Sequence, residues 1–194
     1  MKNEQDKKVE ENKTEEKGSL LKELLEYLKM IIVVVVVVLV VNQFILINAR
    51  IPSESMANTI LSGDQIFGNR LAYLFDDPER YDIVIFRYPD DKSQYFIKRV
   101  IGLPGETVEI LDGDVYVTTV DGEEIVLDDS FLPEPATGSY GQYEVPEGSY
   151  FVLGDNRNWS IDSRFWQNTY VEKEDILGKA ALRYWPLNKF GMVK

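Results

Sequence analysis

The chain has 194 residues, of which 44% are hydrophobic and 28% charged, with a formal net charge of -12 and neither histidine nor cysteine. Thiol nucleophiles, disulfides, zinc ribbons and imidazole ligands are therefore excluded, and only oxygen-ligand metal sites stay open. The acid excess lies almost wholly after residue 29, and an acidic body without a basic stripe argues against nucleic acid as a partner.

Residues 1–18 hold Lys, Glu, Asn and Gln with a single Val, too few apolar groups to build a core. Leu20, Leu21, Leu24, Leu25 and Leu28 then recur at helical spacing, an amphipathic lead-in to an apolar run. Residues 1–29 thus read as a largely disordered tail. No charge occurs from Met30 to Ala49, a segment built around IIVVVVVVLVV. Twenty residues at a helical rise span about 30 Å, the thickness of bilayer hydrocarbon, and the sequence predicts a transmembrane helix over 30–49. The run is too long for a buried strand or an ordinary cleavable leader, and Ile47-Asn48-Ala49 lacks the small-x-small exit of a leader. Lys22 and Lys29 precede it while only Arg50 closely follows, which predicts a single pass with the N-terminus cytoplasmic and the body outside.

That body, residues 50–194, reads as short strands rich in Val, Ile, Tyr and Phe: 81–88, 95–102, 107–111, 114–120, 123–127, 148–154 and 180–185. Asp112-Gly113 and Asp121-Gly122 are hairpin signals. Helical turns are predicted at 70–77 and 171–177. The fold class is therefore mainly β, an antiparallel-sheet body preceded by one N-terminal membrane helix.

A nucleophile in this chain needs a base other than histidine. Ser19-Leu-Leu-Lys22 has the spacing of a Ser-x-x-Lys nucleophile but lies in the tail, without the Ser-Asp-Asn and Lys-Thr-Gly motifs that belong with it. In YFIKRVI, alternation puts Phe96, Lys98 and Val100 on one strand face. A strand lysine ordinarily snorkels to water or pairs with a surface acid. A free lysine is neutral about once in 2,500 at pH 7, so it cannot act as a base there. Burial among apolar groups disfavours the charge, and a pKa near 7 or 8 requires roughly 3 to 5 kcal/mol of desolvation. A lysine so placed supplies the missing base for a serine.

Four blocks then stand out: PSESM at 52–56, SGDQIFGNR at 62–70, YFIKRVIGLPGE at 95–106 and FVLGDNRNWSIDSR at 151–164. In order and spacing they resemble the catalytic-domain motifs of the bacterial type I signal peptidases, membrane-anchored enzymes with a Ser/Lys dyad. The resemblance implies Ser55 as nucleophile, Lys98 as general base, and Ser53 with the Ser55 backbone as the oxyanion hole. It implies that Ser160 holds the lysine, that Arg99 with Asp155 and Asp162 with Arg164 support the site, and that Ile51 and Met56 line substrate pockets. It further implies a small cap subdomain over about 105–146 and no metal or cofactor. The extended spacing of Ser53 and Ser55 independently points both hydroxyls the same way.

Three departures accompany the match. Asn58 stands where the family usually has proline, which should loosen that turn; IFGNR replaces a Val-rich stretch; and Trp159 is bulkier than expected. For Trp159, Phe165 and Trp166 two readings stand, membrane-seating aromatics or core aromatics. The resemblance implies removal of signal peptides from exported preproteins at the outer face of the cytoplasmic membrane, with small residues at positions -1 and -3 of the substrate. Membrane lipid is the other expected partner. The opposing reading is a non-catalytic membrane-tethered β module derived from the same family.

Overall fold

The structure, a computed structural model, describes residues 22–193; the expected polar tail at 1–18 and the Ser-x-x-Lys spacing at 19–22 lie wholly or partly outside the described residues. It divides into two units, 1–43 and 44–194. Helix α1 (Lys22–Ile45), which belongs to the first unit as far as Gln43, is long and apolar enough to cross a membrane, and its side chains from Leu24 to Val40 are exposed. A helix that is apolar all round and uncovered has the composition of a lipid-facing segment. Its last turn, Val41–Ile45, is π-helical.

The helix stops four residues short of the expected Ala49. The chain instead enters strand β1 (Leu46–Arg50), which pairs residue for residue with β2 (Gln65–Asn69). Strand pairing satisfies the backbone there and buries Ile47 in the core of the second unit. The apolar run thus serves two elements.

The body continues through β3 (Ile83–Tyr88), β4 (Asp91–Gly102), β5 (Thr107–Leu111), β6 (Asp114–Thr118), β7 (Glu124–Val126), β8 (Gly141–Glu144), β9 (Ser149–Leu153), β10 (Val171–Glu172), β11 (Ile176–Trp185) and β12 (Gly191–Met192). The larger sheet has the order β1-β2-β11-β3-β4-β9-β10, with β12 paired to β11; the smaller is β7-β6-β5-β8, and every pairing is antiparallel. The mainly β fold expected from the sequence is present, with the smaller sheet inside the 105–146 stretch.

Strand β3 reads as an unbroken apolar run because both its faces are covered. Ile83 and Ile85 join a core with Ile47, Met56, Ile60 and Ile66, while Val84 and Phe86 join another with Val100, Tyr150, Val152 and Trp166. A third core, around Val108, Val117, Phe151 and Leu153, packs the smaller sheet on the larger. The β5–β6 hairpin turns at Asp112 and Gly113, both with positive φ (51° and 96°), the geometry for which Asp-Gly is selected. A side chain at Gly113 would also strike the Ala136 carbonyl.

The helical turn expected at 171–177 is mostly strand: Val171 is buried and pairs with Tyr150, and only Lys173–Asp175 forms a 3-10 turn before β11. At 70–77 the helix shrinks to a 3-10 turn, Arg70–Tyr73, capped by Asn69, whose side chain accepts from the Leu71 N–H.

Candidate active site

Ser55 lies on the loop joining β1 to β2. Two backbone hydrogen bonds close its base, Ile51 N to Asp64 O at 3.0 Å and Gly63 N to Ile51 O at 2.8 Å. Met56 and Ile60 plug the loop into the core, both fully buried. Arg183 of β11 adds a brace, donating to Thr59 O at 2.9 Å and pairing with Asp64 at 3.1 Å. The loop is therefore fixed from beneath, and Ser55 is held at 8% exposure.

Lys98 comes from β4, whose first half is exposed and whose second half is buried. On one side Lys98 pairs with Val84 of β3; on the other, β9 pairs only from Arg99 onward, through Arg99 with Leu153. The strand edge thus opens just where the lysine stands, and the Ser55 side chain reaches its amine. A 2.7 Å hydrogen bond joins Lys98 Nζ to Ser55 Oγ, and Nζ also donates to Ile97 O at 3.1 Å. The amine lies 5.6 Å from the Phe96 ring centroid, and the residue is 3% exposed.

Among the described residues Lys98 forms no ion pair. Burial lowers its pKa from 10.5 to about 8, against the opposing pull of the Asp162 and Asp155 charges. A lysine with that value is about one-tenth neutral at pH 7, hundreds of times more than a free one. Ser53 Oγ stands 3.3 Å from Ser55 Oγ, on the expected side, although the chain there bends into a turn and is not extended.

The turn after β9 ties the centre together. Asp155 takes a forked pair of bonds from Arg99, at 2.8 and 2.7 Å, and accepts a further bond from Thr59. Asp162 is likewise forked by Arg164, at 2.8 and 2.9 Å, and accepts from the Gly154 N–H at 3.0 Å. Gly154 must lack a Cβ, since any would overlap Ser160 Oγ and the Ser55 carbonyl.

Two expected contacts differ. Ser160 is buried against Gly154, but among the described residues its Oγ makes no hydrogen bond, so it does not hold the Lys98 amine in this arrangement. Ile51 and Met56 are core residues, 3% and 0% exposed, and do not line the cleft. That cleft, of about 320 Å³, is walled by Pro52, Ser53, Tyr95, Phe96, Trp159 and Ile161, with Ser55 and Lys98 in its lining. The three aromatics separate: Trp159 and Phe165 are 78% and 54% exposed, whereas Trp166 is buried against Phe86, Tyr88 and Phe96.

Known proteins carry the same pattern. Residues 24–185 match the family described as signal peptidase, peptidase S26. A signal peptidase I of Leptolyngbya laminosa is 39% identical over 175 residues, covering 87% of this chain and 83% of that protein. One from Bacillus licheniformis is 34% identical over 186 residues, covering 93% and 97%. A solved signal peptidase I from Enterococcus faecalis V583 is 36% identical, covering 54% of this chain and 97% of that one with a TM-score of 0.43. The chain belongs to this signal peptidase family. It is accordingly a serine endopeptidase by descent, with an N-terminal apolar helix that fits a membrane anchor.

Within this signal peptidase fold, sequence reasoning missed several residues that shape the site. Asn156 donates from its backbone to Ser55 O at 3.0 Å and from its side chain to Glu54 O at 3.1 Å, clamping the Ser55 loop from behind. Its only sequence signal was its place between Asp155 and Arg157. Arg157 is buried and forked onto Asp129 at 2.6 and 2.8 Å. Asn58, expected to loosen its turn, instead sits at φ 81° and donates to Phe131 O at 2.6 Å. Proline, held near -65°, cannot adopt that angle.

Proposed function

We propose that this protein removes signal peptides from exported preproteins by a Ser55/Lys98 mechanism, at the outer face of the cytoplasmic membrane. The observation that carries the reading is a desolvated amine 2.7 Å from a serine hydroxyl in a histidine-free chain. Neutral Lys98 takes the Ser55 proton as Oγ attacks the scissile carbonyl. The resulting oxyanion is received by the Ser53 hydroxyl and the Ser55 N–H. The Lys98 ammonium then protonates the leaving amine, and an ester on Ser55 remains. A water deprotonated by Lys98 attacks that ester, releasing the carboxylate and restoring both residues.

The edge of β4 before Arg99 is free of β9, which suits a substrate added as an extended strand, its side chains alternating into the cleft. Small residues at positions -1 and -3 fit a cleft of this size beside the nucleophile. Helix α1 crosses the membrane once, with the cationic Lys22 and Lys29 end cytoplasmic. In a detergent assay with a preprotein substrate, the parent cleaves at one site and Ser55→Ala leaves the precursor intact. Cleavage by Ser55→Ala at the parental rate would refute the reading and favour the non-catalytic module.

A further inference from the structure

The stretch between β7 and β8 carries ties that packing alone does not require. Residues 128–139 form neither strand nor helix. They nevertheless bind three separate segments of the site. Asn58, three residues after Ser55, holds the Phe131 carbonyl at 2.6 Å. The Phe131 ring lies 4.3 Å from the guanidinium carbon of Arg99, the neighbour of Lys98. Asp129 anchors Arg157, three residues before Ser160, at 2.6 Å.

Arg99 is thereby fixed in every direction. Asp155 takes its Nε and one Nη, the Tyr81 carbonyl takes the other Nη at 2.9 Å, and Phe131 covers its face. Tyr81 also meets Phe131 edge to face at 6.1 Å and accepts the Asp128 N–H through its hydroxyl. Phe131 itself belongs to none of the three cores and is only partly buried. Its ring shields a buried ion pair in which exclusion of water strengthens every contact. A cation over an aromatic face is stabilised most when both are desolvated.

We propose that Phe131, hung from Asn58, is a positioning residue for the peptidase reaction. By capping Arg99 it holds β4 in register with the Asp155 turn and so keeps Lys98 Nζ at Ser55 Oγ. This rests on the Ser55/Lys98 reading, and it assigns the strap across 128–139 a part in catalysis rather than in substrate binding.

The test uses the full chain in detergent with a preprotein substrate, measuring kcat, KM and the thermal midpoint. Phe131→Leu is expected to lower kcat about tenfold, with KM within about twofold and the midpoint within a few degrees. Phe131→Tyr, which keeps the ring face, should restore most of the rate. Asn58→Gly, which tolerates the positive φ but lacks the amide, should fall in between. A parental kcat for Phe131→Leu, a Tyr variant as slow as Leu, or a loss confined to KM would overturn the assignment. So would midpoints that fall in step with kcat, because Phe131 would then be a folding element. Ser55→Ala run alongside separates the two claims: activity there defeats the dyad, whereas an inert Ser55→Ala with a normal Phe131→Leu defeats only the strap.

Discussion

Two clefts of the body differ in chemistry. The larger, about 450 Å³, lies at the smaller sheet and is lined by Asp112, Asp114, Asp129 and Glu134 among prolines. The other, about 320 Å³, holds Ser55 and Lys98 between apolar walls. In the first, charge either faces water or is matched, as where Arg157 forks onto Asp129, whose carboxyl burial raises above its usual range. In the second, a cation is buried without a paired carboxylate among the described residues, and its pKa falls as a result. Size does not separate the cleft proposed as reactive from the other; a desolvated amine set against a serine hydroxyl, with no carboxylate paired to it among the described residues, does.

The comparison breaks most visibly at Lys98. Lys98→Ala is expected to lower preprotein cleavage by about a thousandfold or more, measured by single-turnover kinetics. Lys98→Arg should be as inactive, because a guanidinium does not lose its proton. An arginine variant with more than about a tenth of parental activity would contradict a lysine base. In the parent, kcat/KM should rise about tenfold per pH unit below pH 8 and level off above it, following the neutral amine.

Next comes the matched charge beside it. Removing one partner of the Arg99–Asp155 pair, 5% and 1% exposed at the side chain, should destabilise the body by about 3 to 5 kcal/mol in chemical unfolding. Asp155→Ala combined with Arg99→Ala should cost less than the sum, since neither charge is then left alone.

The unmatched lysine should behave in the opposite way. The unfolded amine keeps its proton up to about pH 10.5 while the folded one releases it near 8, so stability rises with pH between those values. Lys98→Met should therefore stabilise the protein by about 3 kcal/mol at pH 7, with the gain shrinking from pH 8 to 10.5. A gain independent of pH would mean that the amine is not desolvated.

The smallest effect is expected in the acidic cleft. Asp112→Asn with Asp114→Asn should leave cleavage within about twofold and stability within about 0.5 kcal/mol. A larger loss of cleavage would give that cleft a part in the reaction.

What could be read in advance was local. Strand alternation, Asp-Gly turns and the four motif blocks identify the β body and bring Ser55, Lys98, Arg99 and Asp155 into one candidate site. The uncharged run could not be divided between α1 and β1, because lipid and a buried strand select the same side chains; only the β2 ladder decides at Leu46. Ile51 and Met56 could not be sorted into pocket or core, since both environments favour apolar residues. The strap was illegible for another reason. Asn58 and Phe131 lie 73 residues apart, and a side-chain bond to a backbone carbonyl leaves no mark on residue type at the accepting position.

The protonation state of Lys98 is open to direct measurement. With the lysine side chains isotopically labelled and Lys98→Met used to assign the signal, its titration can be followed by NMR in the full chain in detergent. A midpoint near 8 is expected. A midpoint at the ordinary lysine value of about 10.5 would show an ammonium throughout the physiological range and leave Ser55 without its base.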